Sequence, residues 1–408
     1  MEKTFDPCRS RWLRLLLGAL LLLFIGVGYA WSILKVPLAE EFGWEVSPLA
    51  LNYSLFFLMF GIGGILSGRI TGKVSSRLIL IIASILILIG LFFSSQLSGE
   101  SILMLYLFYG GILGFGIGFA YVNIISVTNL WFPDRRGLSS GVLMMSFGLS
   151  SLLIGLAASK MIAAPALGWR MTYKIIGVSV FVVLIIGSFF LQAPPEGTEF
   201  PPLKKRMSQK AETFQVKELT TKGMLQRFSF WKFYIACVLI IALGSTVISM
   251  ARDLCLTFGT SVALATSLVG VLSLFNGFGR ILCGFLCDLF NRRTATMTMG
   301  VLAIIASAAG LLSLWLELMP LGILCVVLTG IAYGCSPTLL PVFAGDMYGQ
   351  KHLSANYSVL NTVSIPGSFG ATFASLILTA SGSYQILFLV LLTVSIVAFI
   401  LLVFSKKP

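Results

Sequence analysis

The chain has 408 residues, 57% of them hydrophobic and only 11% charged, and its mean hydropathy is +0.98. A soluble globule cannot cover that much apolar surface, so the composition is that of a polytopic membrane protein. The net charge of +13 would suggest a nucleic-acid partner in a soluble chain, but here the basic residues flank apolar segments, where they set orientation.

A hydropathy window of about 19 residues predicts spans over 13–36, 48–71, 78–97, 102–130, 138–162, 171–192, 231–251, 263–287, 295–316, 319–344, 354–380 and 384–405. The expected fold is therefore an all-α membrane protein of twelve transmembrane helices. The first span follows Arg9, Arg11 and Arg14 as a signal peptide would, but it has no small-residue cleavage site and stays apolar to about Leu34, so it is predicted to remain as a helix. On the fourth span, Gly110, Gly114 and Gly118 recur every four residues. With no following lysine and no strand, that spacing predicts close helix packing and not a phosphate loop. Cys8, Cys237, Cys255, Cys283, Cys287, Cys325 and Cys335 lie mostly within apolar segments. They indicate neither a disulfide framework nor a metal site.

The loops alternate in charge. Arg69, Lys73, Arg77, Arg135, Arg136, Arg292, Arg293, Lys351, Lys406 and Lys407 share one side with the N-terminus, while the other side carries Glu40, Glu41, Glu45, Glu100 and Glu317. The positive-inside rule then puts both termini in the cytoplasm of a cell (inner or plasma) membrane, as an even number of spans requires. The longest loop, 193–229, opens on prolines and carries Lys204, Lys205, Arg206, Lys210, Lys217, Lys222 and Arg227. It divides the chain into an N-terminal six-helix half, 1–192, and a C-terminal half, 230–408. Its expected role is that of a solvated tether, with anionic lipid headgroups as an alternative contact.

The halves repeat. Gly61-Ile-Gly-Gly64-Ile-Leu-Ser-Gly68 aligns with Gly277-Phe-Gly-Arg280-Ile-Leu-Cys-Gly284 at an offset of 216. Arg280 thus stands where its repeat partner has Gly64, deep inside an apolar segment. An arginine there costs roughly 2.5–3.5 kcal/mol on insertion scales and persists where it faces a wet cavity, a partner or an anionic ligand; snorkelling to a membrane face is the alternative. The loops that follow align as well, Gly68-Arg-Ile-Thr-Gly-Lys-Val-Ser-Ser-Arg77 with Gly284-Phe-Leu-Cys-Asp-Leu-Phe-Asn-Arg-Arg293.

Both loops resemble the Gly-x-x-x-Asp-x-x-Gly-Arg-Arg loop of the major facilitator superfamily, which implies two pseudo-symmetric six-helix halves with a substrate site between them at the membrane midplane. The first copy has Gly72 in place of the acid; the second keeps Asp288, for which the resemblance implies a gating role with Arg292 and Arg293. Gly28-Tyr-Ala-Trp-Ser32, Trp131-Phe-Pro-Asp-Arg-Arg-Gly-Leu138, Asn276-Gly-Phe-Gly-Arg280 and Asp346-Met-Tyr-Gly349 are similar to the oxalate/formate antiporter family and the related monocarboxylate transporters. The resemblance spans nearly the whole chain. It implies a secondary transporter of small carboxylates, most like a bacterial lactate or monocarboxylate:proton symporter, with Arg280 binding the substrate carboxylate. Oxalate transporters carry a second buried cation on helix 11, whereas 354–381 here has no Lys or Arg; animal monocarboxylate transporters have Asp where this chain has Asn276.

One buried arginine neutralises one carboxylate, and a second carboxylate in a low-dielectric cavity would cost several kcal/mol. The expected substrate is therefore a monoanion. Asn276, one turn before Arg280, either orients the guanidinium or binds an α-hydroxyl. Tyr29, Tyr121 and Tyr333 either offer hydroxyls to the cavity or pack between helices. Asn361 and Ser364 on helix 11 are further candidates, beside a kink expected at Pro366-Gly367. No Walker motif is present, so transport should draw on a gradient, with the proton as coupling ion, relayed by Asp253 or carried on the substrate itself. His352 reads as a loop residue. No cofactor and no metal is expected, the lipid bilayer is the surroundings, and a monomer suffices. An oxalate/formate-type exchanger is the alternative function, and a membrane enzyme or receptor on the same fold a remote one.

Overall fold

The computed structural model describes residues 7–44, 46–99, 101–195, 197–198, 200 and 218–405. The linker's basic stretch from Lys204 to Lys217, together with Glu45, Glu100, Lys406 and Lys407, lies outside them.

Among the described residues, twelve helices are long and apolar enough to cross a membrane: α1 (Ser10–Gly28), α2 (Leu51–Ile70), α3 (Ser76–Ser94), α4 (Ile102–Leu130), α5 (Arg136–Ala163), α6 (Gly168–Phe190), α7 (Phe228–Ser249), α8 (Ser267–Leu289), α9 (Arg292–Leu316), α10 (Met319–Tyr348), α11 (Leu353–Ser381) and α12 (Tyr384–Val403). Helix is the form such sequences take because lipid offers no partner to a backbone N–H or C=O, so each segment must satisfy its own. The twelve-span expectation is borne out. Several of the helices are not plain α-helix throughout or carry a gap in their hydrogen-bond ladder. Gly26–Ala30 winds as a 3-10 turn, Tyr106–Leu113 as a π-helix, and α10 contains Pro337 and Pro341, each of which removes one N–H from the helical ladder. Helix α11 comes in three pieces, Leu353–Asn361, Ser364–Ser368 and Gly370–Ser381, so the chain breaks on either side of Pro366. There the Gly367 carbonyl accepts a hydrogen bond from Ser245 Oγ at 2.9 Å.

The chain divides into two compact units. The first contains α1–α4, α6 and most of α5. The second contains α7–α12, apart from residues 357–359, and also Arg136–Gly141 of α5. In the first unit, the four-residue stripe of α4 lies against α2. A methyl on Gly110 would come within 2.9 Å of Asn52 Oδ1, one on Gly114 within 2.6 Å of the Phe56 carbonyl, and one on Gly118 would run into the Phe60 carbonyl. The expected small-residue packing is what these contacts describe. In the second unit, Leu243, Val247, Leu254, Phe258, Leu268, Leu272 and Phe388 form one buried apolar cluster. Cys237, Cys255, Cys283, Cys287, Cys325 and Cys335 are free and buried, as small core residues would be.

Candidate functional site

Arg280 lies on α8 with 5% of its surface exposed, and its Nε–H donates to Asn276 Oδ1 at 3.3 Å. An i, i+4 pair shares one helix face, and this bond uses one of the guanidinium's five N–H donors.

Three close approaches fix the backbone around the pair. Methyls built on Gly279 and Gly334 would collide with the carbonyls of Ile331 and Asn276, and one on Gly330 would stand 2.8 Å from the Leu272 carbonyl. At the offset of 216 these superpose, contact for contact, on the first unit: Gly63 on Phe115, Gly118 on Phe60 and Gly114 on Phe56. The two units thus clamp α2 to α4 and α8 to α10 in the same register. Gly64 in the first clamp is replaced by Arg280 in the second. Sequence reading singled out the glycines of α4 but missed Gly330 and Gly334, although the same offset generates them from Gly114 and Gly118.

In the second unit, Tyr333 is half-buried and its ring covers Gly244 of α7, where a methyl would strike Cδ2. Asn361 is 7% exposed and ends the first piece of α11; its carbonyl accepts from Ser364 Oγ at 3.0 Å across the break. Tyr121 belongs to the first unit. Its ring packs on Phe60 and Phe147 with centroids 5.1 and 4.6 Å away, and its hydroxyl donates to Met144 Sδ at 2.9 Å. Tyr29 falls in the 3-10 turn, but its side chain lies outside the described residues. Arg280 and Asn276 are brought into contact; Tyr333, Asn361 and Ser364 share their unit.

Asp253 is exposed in the first turn of the short helix Ala251–Thr257 beyond α7. Asp288, at the end of α8, accepts from the backbone N–H of Gly137 at 2.9 Å and of Leu138 at 2.7 Å. A carboxylate on the first amides of α5 completes orphan donors and meets the positive end of the helix dipole. Arg292 lies over the Phe343 ring at 4.7 Å, and Arg293 is exposed in the first turn of α9. Asp346 pairs with Arg136 at 3.3 Å. Residues 131–134 anchor α1 within the first unit: Asp134 pairs with buried Arg11 at 2.7 Å, and Arg14 lies 4.0 Å over Trp131. At the far end of that unit, the Glu41 carboxylate accepts from Trp169 Nε1 and from Arg170 Nη2, both at 2.6 Å. Trp169, and after it Arg170, hold that carboxyl below the usual carboxylate range against the opposing effect of burial.

Twelve apolar helices, two units built on the same glycine clamp and a buried arginine in one of them define a membrane transporter of the repeat-built class. Residues 16–369 match the family model of the Major Facilitator Superfamily, and the chain belongs to that superfamily. It is 25% identical over 402 residues to the oxalate:formate antiporter of Oxalobacter formigenes, covering 97% of this chain and 91% of that protein. It is 24% identical to the MFS-type transporter YhjX of Escherichia coli over 86% of this chain and 84% of that one, and 22% identical to monocarboxylate transporter 2 of Mus musculus over 92% and 80%. The solved fucose:proton symporter of Escherichia coli has the same fold, with a TM-score of 0.69 at 15% identity, covering 98% of this chain and 100% of that one.

Proposed function

We propose that the chain is a secondary active transporter of small monocarboxylates of the lactate or pyruvate type, working by alternating access with proton symport, and that Arg280 binds the carboxylate. The observation that carries this reading is the buried arginine held through Nε by Asn276. A carboxylate binds across two parallel N–H groups of the planar fork, and the bond to Asn276 fixes the plane of that fork. Asn276 then acts as orienter. Tyr121, Tyr333, Tyr29, Asn361 and Ser364 complete the substrate's surroundings, and Asp288 with Arg292 and Arg293 serves the gate. The charge pattern of the loops supports cytoplasmic termini in the cell membrane.

Exchange of the oxalate:formate type is the second reading, favoured by the 25% identity over nearly the full chain. Against it stands α11, which carries no Lys or Arg from Leu353 to Ser381. The test is labelled lactate uptake into proteoliposomes, with C1 to C4 mono- and dicarboxylates as competitors. Monocarboxylates should compete and oxalate should not; Arg280→Lys keeps the charge but loses the fork, and should abolish nearly all uptake. Wild-type uptake by the lysine variant would sink the assignment, and strong oxalate exchange by the unmodified chain would restore the antiporter reading.

A further inference from the structure

The turn between α10 and α11 is held by the end of the linker. The Glu218 carboxylate accepts from two successive backbone amides, Gln350 N–H at 3.1 Å and Lys351 N–H at 2.8 Å. Leu219 N–H donates to the Tyr348 carbonyl at 3.0 Å, Asn356 Nδ2 donates to the Leu219 carbonyl at 3.0 Å, and Thr221 Oγ1 donates to Asn356 Oδ1 at 3.0 Å. Gly349 has φ +86, and a methyl there would collide with the Glu218 carboxylate; the glycine is required both by its left-handed backbone and by the close approach.

The start of α5 is built alike, with the Asp288 carboxylate on the amides of Gly137 and Leu138. Setting Leu138-Ser139 against Leu353-Ser354 places the amides bound by Glu218 within two residues of the repeat counterparts of Gly137 and Leu138. Asp288 itself has Gly72 as its counterpart, which brings no carboxylate. The repeat thus lacks one acid, and the linker brings another to the matching helix start.

We propose that Glu218 is a positioning residue for transport: as the capping carboxylate of the α10–α11 turn, it holds the first piece of α11 and, at its far end, Asn361. That piece is nine residues long and is broken off from the rest of α11 at Thr362–Val363. Its start is tied to the linker at 350, 351 and 356. Beyond its end, the Thr362 hydroxyl meets the Tyr234 hydroxyl of α7 at 2.9 Å. Without the clasp the start of this piece loses its bonds to the linker, and Asn361 at its other end is less well placed.

The functional part of this proposal rests on the transport reading above; the structural part does not. Hydrogen exchange on the full-length protein should show the amides of Gln350 and Lys351 exchanging roughly fivefold faster in Glu218→Ala, the scale of a lost helix cap, with those of Gly137 and Leu138 unchanged. Glu218→Gln, which keeps an acceptor but not the charge, should fall between. Glu218 is exposed, so the variants should fold; in proteoliposomes they should raise the KM of lactate uptake several-fold while kcat changes less than twofold. Unchanged exchange at 350 and 351 would overturn the clasp, and faster exchange with unchanged KM would overturn its positioning role. A wild-type protein inert toward lactate would count against the proposed function and leave exchange as the deciding measurement.

Discussion

Gly334→Ala tests the geometry around Arg280 directly. The added methyl would run into the Asn276 carbonyl and stand 3.1 Å from Asn276 Oδ1, the atom that accepts from Arg280. Restoring ordinary contact needs α8 and α10 to part by about 1 Å, and overpacking of this kind costs about 1–3 kcal/mol of stability. Gly118→Ala is the built-in control, since its methyl meets the Phe60 carbonyl in the matching place and should cost about as much by the same steric mechanism. Only at Gly334 does the displaced residue hold an arginine. Losing a hydrogen bond to a charged group removes about 1.5–3 kcal/mol, so substrate affinity should fall about ten- to a hundredfold in Gly334→Ala beyond any change in Gly118→Ala. Thermal unfolding in detergent measures the shared cost, and equilibrium competition with labelled lactate measures the separate one. Equal affinities in the two variants at equal loss of stability would refute the claim that the clamp positions Arg280.

Asp288→Asn removes the charge from the start of α5 while keeping an acceptor, and should cost about 1 kcal/mol of stability; an unfolding midpoint identical to wild type would contradict the capping role. Asn361→Lys adds a second cation to α11 and should shift competition toward oxalate and other dianions, whereas an unchanged mono- over dicarboxylate ratio would remove Asn361 from the site. Acid outside should accelerate net uptake while an imposed potential changes it little. Asp253→Asn should abolish the pH stimulation if that exposed carboxylate relays the proton; stimulation that survives leaves the substrate carboxyl as carrier. The stabilisation from Glu41 is present above the ordinary carboxylate pKa of 4.5 and is lost as pH falls through its lowered folded-state value. Glu41→Gln should therefore leave uptake between about pH 5.5 and 7.5 as pH-sensitive as in the wild type, with a loss of stability that is constant over that range and closes on the acid side, where the wild type loses the same contribution; lost stimulation in this variant would move the proton to Glu41.

Hydropathy made the twelve spans legible because lipid burial is decided segment by segment, from composition alone. Arg280 was legible for the same reason: a charge in such a segment stands out against its neighbours. The contacts that position it were harder to read, since they depend on which face of one helix meets which face of another. Gly334 is one of 41 glycines, and nothing in its neighbourhood marks it until the offset of 216 is carried from α2 and α8 to α4 and α10. Asp288 was legible as an acid with arginines nearby, but its bonds to the backbone amides of α5 were not, because backbone groups have no sequence signature. Glu218 was hidden more deeply. It lies 132 residues from Gln350, in a stretch whose composition speaks only of charge and proline.

The repeat also gives a physical reason for where the arginine sits. A long side chain is only as precise as the backbone that carries it, and membrane helices gain precision where small residues let backbones touch. The clamp of Gly279, Gly330 and Gly334 provides this at Leu272, Asn276 and Gly279, the turns of α8 that lead up to Arg280, and the identical clamp in the first unit shows that the packing does not need the charge. Gly64 fills the equivalent place there with no side chain at all; its nearest neighbour would be Val122 Cγ2, 3.0 Å from an added methyl. Because Arg280 departs from a scaffold that is complete without it, its cost in the membrane must be offset by something other than packing. In the function proposed here, that compensation is the carboxylate it binds.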